Sequence, residues 1–228
     1  MLSLTLLLYP EIERHALDTG STDGTMDLLS NNGWKVHERP FSGDYAEARN
    51  QLLLIARGFA NPEDWMLMLD ADEVMYPEDF EKLKKLCDRT SKSLITLPRI
   101  NLVGDGTWQE IGSYPDKQAR CIRIWSSVHY RNPVHECAFR RGSSKSVAAE
   151  NGDEFASDLH LWHYGWTKPP QDIWLRSHNY KMITEGKPLL TEIPDWVKNM
   201  TDLEFWEDIR KQHQIVKFDK PHPLQGLI

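Results

Sequence analysis

Short apolar runs alternate with helix-period stretches through the first half of the chain, the pattern of β–α–β units. His15-Ala16-Leu17 runs into Asp18 and a loop rich in Gly, Ser and Thr. A short helix is expected over Met26–Asn31, closed by Gly33, and a strand over Trp34–Glu38. Asp44, with Glu47 three residues on, reads as a capping box. The helix it opens places Ala48, Leu52, Ile55 and Phe59 on one face. Trp65–Leu69 is a continuous apolar run, as in a buried parallel strand, and it ends at Asp70-Ala71-Asp72-Glu73. Pro77 then starts a helix to about Cys87. The second half reads as mixed α and β: strands at Leu94–Ile100, Arg120–Trp125, Val134–Arg140 and Leu159–Tyr164, a polar loop over Gly142–Gly152, and helices over Gln171–Glu185 and Asp202–Gln214.

A chain of 228 residues, 40% hydrophobic and 27% charged, suits one sizeable soluble α/β domain. The net charge of −7 offers no basic field for a nucleic acid, so none is expected as a partner. Cys87, Cys121 and Cys137 have no metal spacing and form no even-numbered framework, so they read as small buried hydrophobes in a reducing compartment. Leu2–Leu8 is too short to span a bilayer and lacks the flanks of a signal peptide. A cytoplasmic protein is therefore expected. Peripheral membrane contact stays open.

Two segments could carry chemistry. In open α/β sheets, ligands bind beyond the carboxyl ends of the strands, which is where Asp70, Asp72 and Glu73 fall. Hard oxygen ligands there suit Mg²⁺ or Mn²⁺, which also hold substrate phosphates. Taken alone, the same run also fits a solvated turn leading into the Pro77 helix. The second segment, Asp18–Thr25, lies at another strand end. Its glycines permit tight backbone geometry beside a ligand. It is neither a P-loop, lacking Gly-Lys-Ser/Thr, nor an EF-hand, since Leu29 stands at the twelfth position. An ordinary strand–turn–helix connection is its plain alternative.

Asp18–Thr25, the run Phe41-Ser42-Gly43-Asp44-Tyr45-Ala46-Glu47-Ala48-Arg49-Asn50, and Leu69-Asp70-Ala71-Asp72-Glu73 resemble three successive motifs of the family-2 glycosyltransferases. Tyr130-Arg131-Asn132-Pro133-Val134-His135-Glu136 resembles a "VHE" segment of the family, and Leu161-Trp162-His163-Tyr164-Gly165-Trp166 its late "HYGW" segment. The likeness spans about residues 12 to 168 and points to small bacterial members related to lipopolysaccharide-core glucosyltransferases. It implies the GT-A fold, a Rossmann-like mixed sheet with helices on both faces. Residues 1–168 would form that domain, N-terminally shortened, and 169–228 a helical extension packed on it.

The resemblance further implies a nucleotide-sugar site of Asp18, Gly20, Ser21, Asp23, Arg49, Asp70 and His135. Asp72 and His163 would hold Mn²⁺ or Mg²⁺. Glu136 would be the base that takes the acceptor proton, with Asp116 and Glu110 as fallbacks. Strand alternation would turn only one of His135 and Glu136 to the pocket. His163, flanked by Trp162 and Tyr164, could otherwise be a satisfied core histidine. Trp108, Tyr114, Trp162, Trp166 and Trp174 are aromatic surfaces for sugars or simply core. Family members begin with a strand ending near a Lys-Asn-Glu-like segment. Here seventeen residues precede Asp18, and that first strand is expected to be missing.

The expected function is metal-assisted, inverting transfer of a sugar from a nucleotide donor, UDP-linked, to a glycan or lipid-linked glycan hydroxyl. The alternative is a catalytically degenerate relative that binds nucleotide-sugar or glycan. A sugar-phosphate nucleotidyltransferase would need a Gly-rich N-terminal signature with a basic residue, which this sequence lacks.

Overall fold

The structure is a computed structural model and describes residues 12–218 and 220–224. The readings made on Leu2–Leu8, and most of what was expected of the missing first strand, fall outside these residues. The first described elements are strand β1 (His15–Asp18), helix α1 (Thr25–Asn31), β2 (Lys35–Glu38) and helix α2 (Tyr45–Arg57). β1 and β2 pair in parallel and join no other described strand. Then follow β3 (Trp65–Leu67), β4 (Glu73–Val74), α3 (Pro77–Arg89), β5 (Leu94–Val103), β6 (Trp108–Glu110), β7 (Lys117–Arg123), β8 (Val128–Arg131) and β9 (Cys137–Arg140). The chain closes with β10 (Glu154–Phe155), β11 (Leu161–Trp166), α4 (Pro170–Thr184), α5 (Asp195–Lys198), α6 (Asp202–Gln212) and β12 (Ile215–Lys217).

β5 is the axis of an eight-stranded mixed sheet. Its first half pairs antiparallel with β7 and parallel with β10. Its second half pairs parallel with β11 and antiparallel with β6. Alternation along β5 and β7 divides the core. Leu94 and Ile122 pack with Leu53 and Ala46 of α2 on one face. Ile95, Leu97 and Cys121 pack with Leu83 and Cys87 of α3 on the other. Each leucine or isoleucine among them, once buried, stabilises the fold by about 1.5–3 kcal/mol. Helices thus cover both faces. A separate cluster of Ile173, Phe205 and Ile209 holds α4 against α6. Among the described residues, no helix is long and apolar enough to cross a membrane.

Several expectations are corrected. The buried stripe of α2 is Ala46, Arg49, Leu53 and Ala56, not Ala48, Leu52, Ile55 and Phe59. Arg49 is turned inward by its ion pairs, so a count of apolar residues places the stripe wrongly. Phe59 instead stacks on His15, ring centres 4.3 Å apart, and stays half-exposed. β3 runs antiparallel to β7 rather than parallel to a neighbour, and it is only partly buried. The strand expected from Val134 begins at Cys137, because Asn132 and His135 adopt positive φ (75° and 53°) and break the extended run. Cys137, at the start of that hairpin strand, is exposed, whereas Cys87 and Cys121 are buried as expected.

Candidate active site

The site grows from a row of side chains on one face of the sheet. Asn101 of β5 stands opposite His163 of β11, which stands opposite Glu73 of β4. The neighbouring row, Ile100, Trp162 and Val74, turns to the other face and is core. Period-2 alternation thus settles that His163, and not Trp162, faces the acidic turn.

Asp70, Asp72 and Glu73 were read as one carboxylate cluster, and the fold gives each a different environment. The Glu73 side chain is wholly buried. It accepts from Arg120 Nε and Nη2, both at 2.8 Å, and from Arg99 Nη1 at 3.2 Å. Asp70 is held between two guanidiniums: Arg49 at 2.9 Å on each oxygen and Arg120 Nη2 at 2.8 Å. Burial would raise the Asp70 carboxyl, but Arg120 and Arg49 outweigh it and hold the group well below the usual carboxylate range. Asp72 has looser partners. Its Oδ1 lies 3.6 Å from His163 Nε2, and its Oδ2 lies 3.1 Å from Lys168 Nζ and 3.7 Å from Arg176 Nη1. The backbone N–H of Tyr164 donates to the Asp72 carbonyl at 2.8 Å and fixes the turn against β11.

Arg49 ties the first half of the chain to the second. Besides Asp70, it donates from Nε to Glu136 Oε1 at 2.6 Å. Its neighbour Asn50 pairs twice with the Tyr130 backbone, donating to the carbonyl at 2.9 Å and accepting from the N–H at 2.8 Å. Helix α2 therefore carries the β8–β9 turn, with His135 and Glu136, to the acidic motif. His135 is exposed, its ring 6.3 Å from that of Tyr180. Because this segment is a turn, strand alternation does not decide between His135 and Glu136. Both fallback carboxylates have partners of their own: Asp116 accepts from Arg99, Asn101 and Gln118, and Glu110 from Ser113.

The hydrogen bonds around His163 define its tautomer. The Asn101 amide donates from Nδ2 to Asp116 Oδ2 at 3.0 Å, so its Oδ1 faces His163. That oxygen can only accept, so His163 donates to it from Nδ1 at 2.7 Å. Nε2 then carries a bare lone pair toward Asp72. Burial pushes the imidazole down to about 4, against the pull of Asp72 upward, which keeps it neutral near pH 7. A neutral imidazole with a donor bond behind it and a carboxylate beside its free nitrogen could together hold a cation. Among the described residues, no three His, Cys, Asp or Glu side chains gather as a metal cage. Asp72 and His163 alone would leave a hard divalent ion to find its other ligands on phosphate and water.

The Asp18 loop forms a second group. Asp18, buried at the end of β1, accepts from the backbone N–H of Gly20 and of Ser21, both at 2.9 Å. The bonds from Ser21 and Gly20 lower its carboxyl. Asp23 is exposed and accepts from Thr25, N at 3.1 Å and Oγ1 at 2.6 Å. Gly20 sits at φ 120°, where a side chain would be strained. Arg39 and Phe41 donate from their backbones to Asp18 and Thr19, which leads the chain from this loop to the start of α2. Arg49, Asp70, Asp72, Glu136 and His163 are thus brought together. A shallow hollow lined by Leu17, Thr19, Arg39, Phe41 and Asp44 adjoins the Asp18 loop.

Residues absent from the sequence reading complete the site. Asn101 interrupts the apolar run of β5, a signal that a buried polar group has a partner, whereas Arg120 stands in a mixed strand and is buried only by the fold. Lys168 and Arg176 gave no signal of their own. Gly165 matters by what it lacks: a Cβ there would stand 2.6 Å from both His163 Cε1 and Arg176 Nη1.

The mixed α/β sheet thus carries an acidic turn at a strand end, faced by a histidine from a late strand. The chain belongs to glycosyl transferase family 2, whose family model matches residues 2–147, more than half its length. Its fold is accordingly GT-A. The chain is also similar to a TPR repeat-containing protein of Synechococcus elongatus, 30% identical over 121 residues. That match covers 53% of this chain and 27% of the relative, so the matched segment corresponds to about a quarter of that longer protein.

Proposed function

We propose that the protein transfers a sugar from a nucleotide-diphosphate donor, UDP-linked, to a hydroxyl of a glycan or lipid-linked glycan, with inversion at the anomeric carbon. Family membership supports the reaction class. The observation that carries the site is the bare Nε2 of His163 facing Asp72 Oδ1 at 3.6 Å, with its tautomer set by Asn101. Asp72 and His163 are the residues that would hold Mn²⁺ or Mg²⁺, which when bound would supply charge neutralisation for the leaving diphosphate.

The other residues have separate tasks in this reading. Arg49 and Arg120 hold Asp70 in place, so the acidic turn is pre-formed before substrate arrives. Asp18 shapes the Gly20–Ser21 loop for the nucleoside, with Asp23 at its rim. His135 lines the donor side next to Tyr180. Glu136 takes the acceptor proton. Arg49 grips its Oε1, and its Oε2 takes no hydrogen bond from the described residues.

A screen of nucleotide-sugar hydrolysis with Mn²⁺ tests the reading. Turnover that Asp72→Ala abolishes is the expected result. Turnover untouched by Asp72→Ala would move the site elsewhere. Donor binding without turnover would make the chain a non-catalytic relative.

A further inference from the structure

The Asp72 carboxylate is surrounded more heavily than a waiting metal ligand needs to be. Lys168, from the loop after β11, reaches Oδ2 at 3.1 Å, and Arg176, from α4, stands 3.7 Å from the same oxygen. Neither cation has another carboxylate partner among the described residues. Their grip differs in kind from that of Arg49 and Arg120. Those two are buried and short-bonded to Asp70, whereas Lys168 is nearly half-exposed at 45% and Arg176 is beyond hydrogen-bond range. Arg176 also lies over the Trp166 ring, 6.0 Å from its centre, and the missing side chain of Gly165 leaves the space through which it approaches His163 and Asp72.

One carboxylate facing two cations leaves this corner short of negative charge. A divalent ion arriving alone would deepen that shortfall. A divalent ion arriving with a diphosphate would not, because the phosphate oxygens absorb both the ion and the two side chains.

We propose that Lys168 and Arg176 are an exchange pair: they neutralise Asp72 when no metal is bound, and swing to the donor's diphosphate when the metal takes the carboxylate. This rests on the reading of Asp72 as a metal ligand given above. The consequence is coupled binding. The pair disfavours the metal alone and makes metal and diphosphate mutually reinforcing, because each releases what the other needs. The ligand chemistry recognised by Lys168 and Arg176 is a pyrophosphate group, met by a flexible ammonium and a guanidinium fork.

The test uses Mn²⁺ and inorganic pyrophosphate as separate probes, on the full chain with folding checked by circular dichroism. In the first arm, free Mn²⁺ is followed by electron paramagnetic resonance without any phosphate. Lys168→Met and Arg176→Met should each bind Mn²⁺ about 1.5- to 5-fold more tightly than the wild type, the range for losing one partly exposed competing charge. In the second arm, pyrophosphate binding is measured by calorimetry in EDTA. Asp72→Asn should bind pyrophosphate more tightly than the wild type, because both cations are released, and adding Arg176→Met should remove the gain. Wild-type Mn²⁺ binding that the two methionine variants leave unchanged or weaken would overturn the exchange. Should no form bind Mn²⁺, the metal reading of Asp72 fails, and the second arm alone decides. Pyrophosphate binding unchanged by Asp72→Asn would then overturn the pair's role as well, and a gain lost with Arg176→Met would uphold their phosphate affinity.

Discussion

Arg120→Met removes the guanidinium around which the acidic turn is built. Arg120 is 2% exposed and makes three bonds of 2.8 Å, two to Glu73 and one to Asp70. Methionine keeps most of the aliphatic volume, so little of the effect is cavity formation. The loss falls on Glu73, whose side chain has no exposure and keeps only Arg99 Nη1 at 3.2 Å and the Asp70 N–H at 3.1 Å. Removing one partner of a buried pair costs about 3–5 kcal/mol. The two surviving donors place this case near the lower end, about 3 kcal/mol. For a domain of this size that corresponds to a fall in Tm of about 6–12 °C. Urea unfolding followed by tryptophan fluorescence measures it directly. Adding Glu73→Gln removes the stranded charge and should recover more than half of the loss. A single-variant loss below about 1 kcal/mol, or no recovery in the double variant, would refute the claim that a buried charge pair organises this turn.

Two further predictions concern the late strand. Gly165→Ala must push His163 or Arg176 aside. Mn²⁺-dependent turnover should fall at least about tenfold, with a stability loss of about 1–3 kcal/mol for the crowding, read by steady-state kinetics and thermal melting. Full activity with unchanged metal dependence would show that neither side chain needs its present place. For His163, the folded value of about 4 lies below the ordinary value of about 6.5. As pH falls from about 6.5 to 4, the unfolded chain takes up this proton first. Stability is therefore complete above pH 6.5 and is lost by up to about 3 kcal/mol by pH 4. Melting curves in EDTA should show this slope in the wild type and lose it in His163→Gln; parallel curves would refute the burial argument.

Family and fold class were legible in the sequence because motifs are local. Asp18–Thr25, Asp70–Glu73 and Leu161–Trp166 each carry their residue types in a short run, at the ends of recognisable elements. Helix starts were legible for the same reason: the Asp44 side chain caps α2 by accepting from the Glu47 N–H at 2.9 Å. What a residue does within a motif depends on partners far along the chain. The division of Asp70, Asp72 and Glu73 among three tasks follows from Arg49, Arg120 and Lys168, which lie 21, 47 or 50, and 96 positions away. No window on the sequence contains both ends of such a pair. The tautomer of His163 likewise rests on Asn101, 62 residues distant, and on the register that sets β11 against β5. Periodicity and caps report the backbone's local energetics; the charge state and aim of a buried group are set by the electrostatics of neighbours that only tertiary packing brings within about 4 Å.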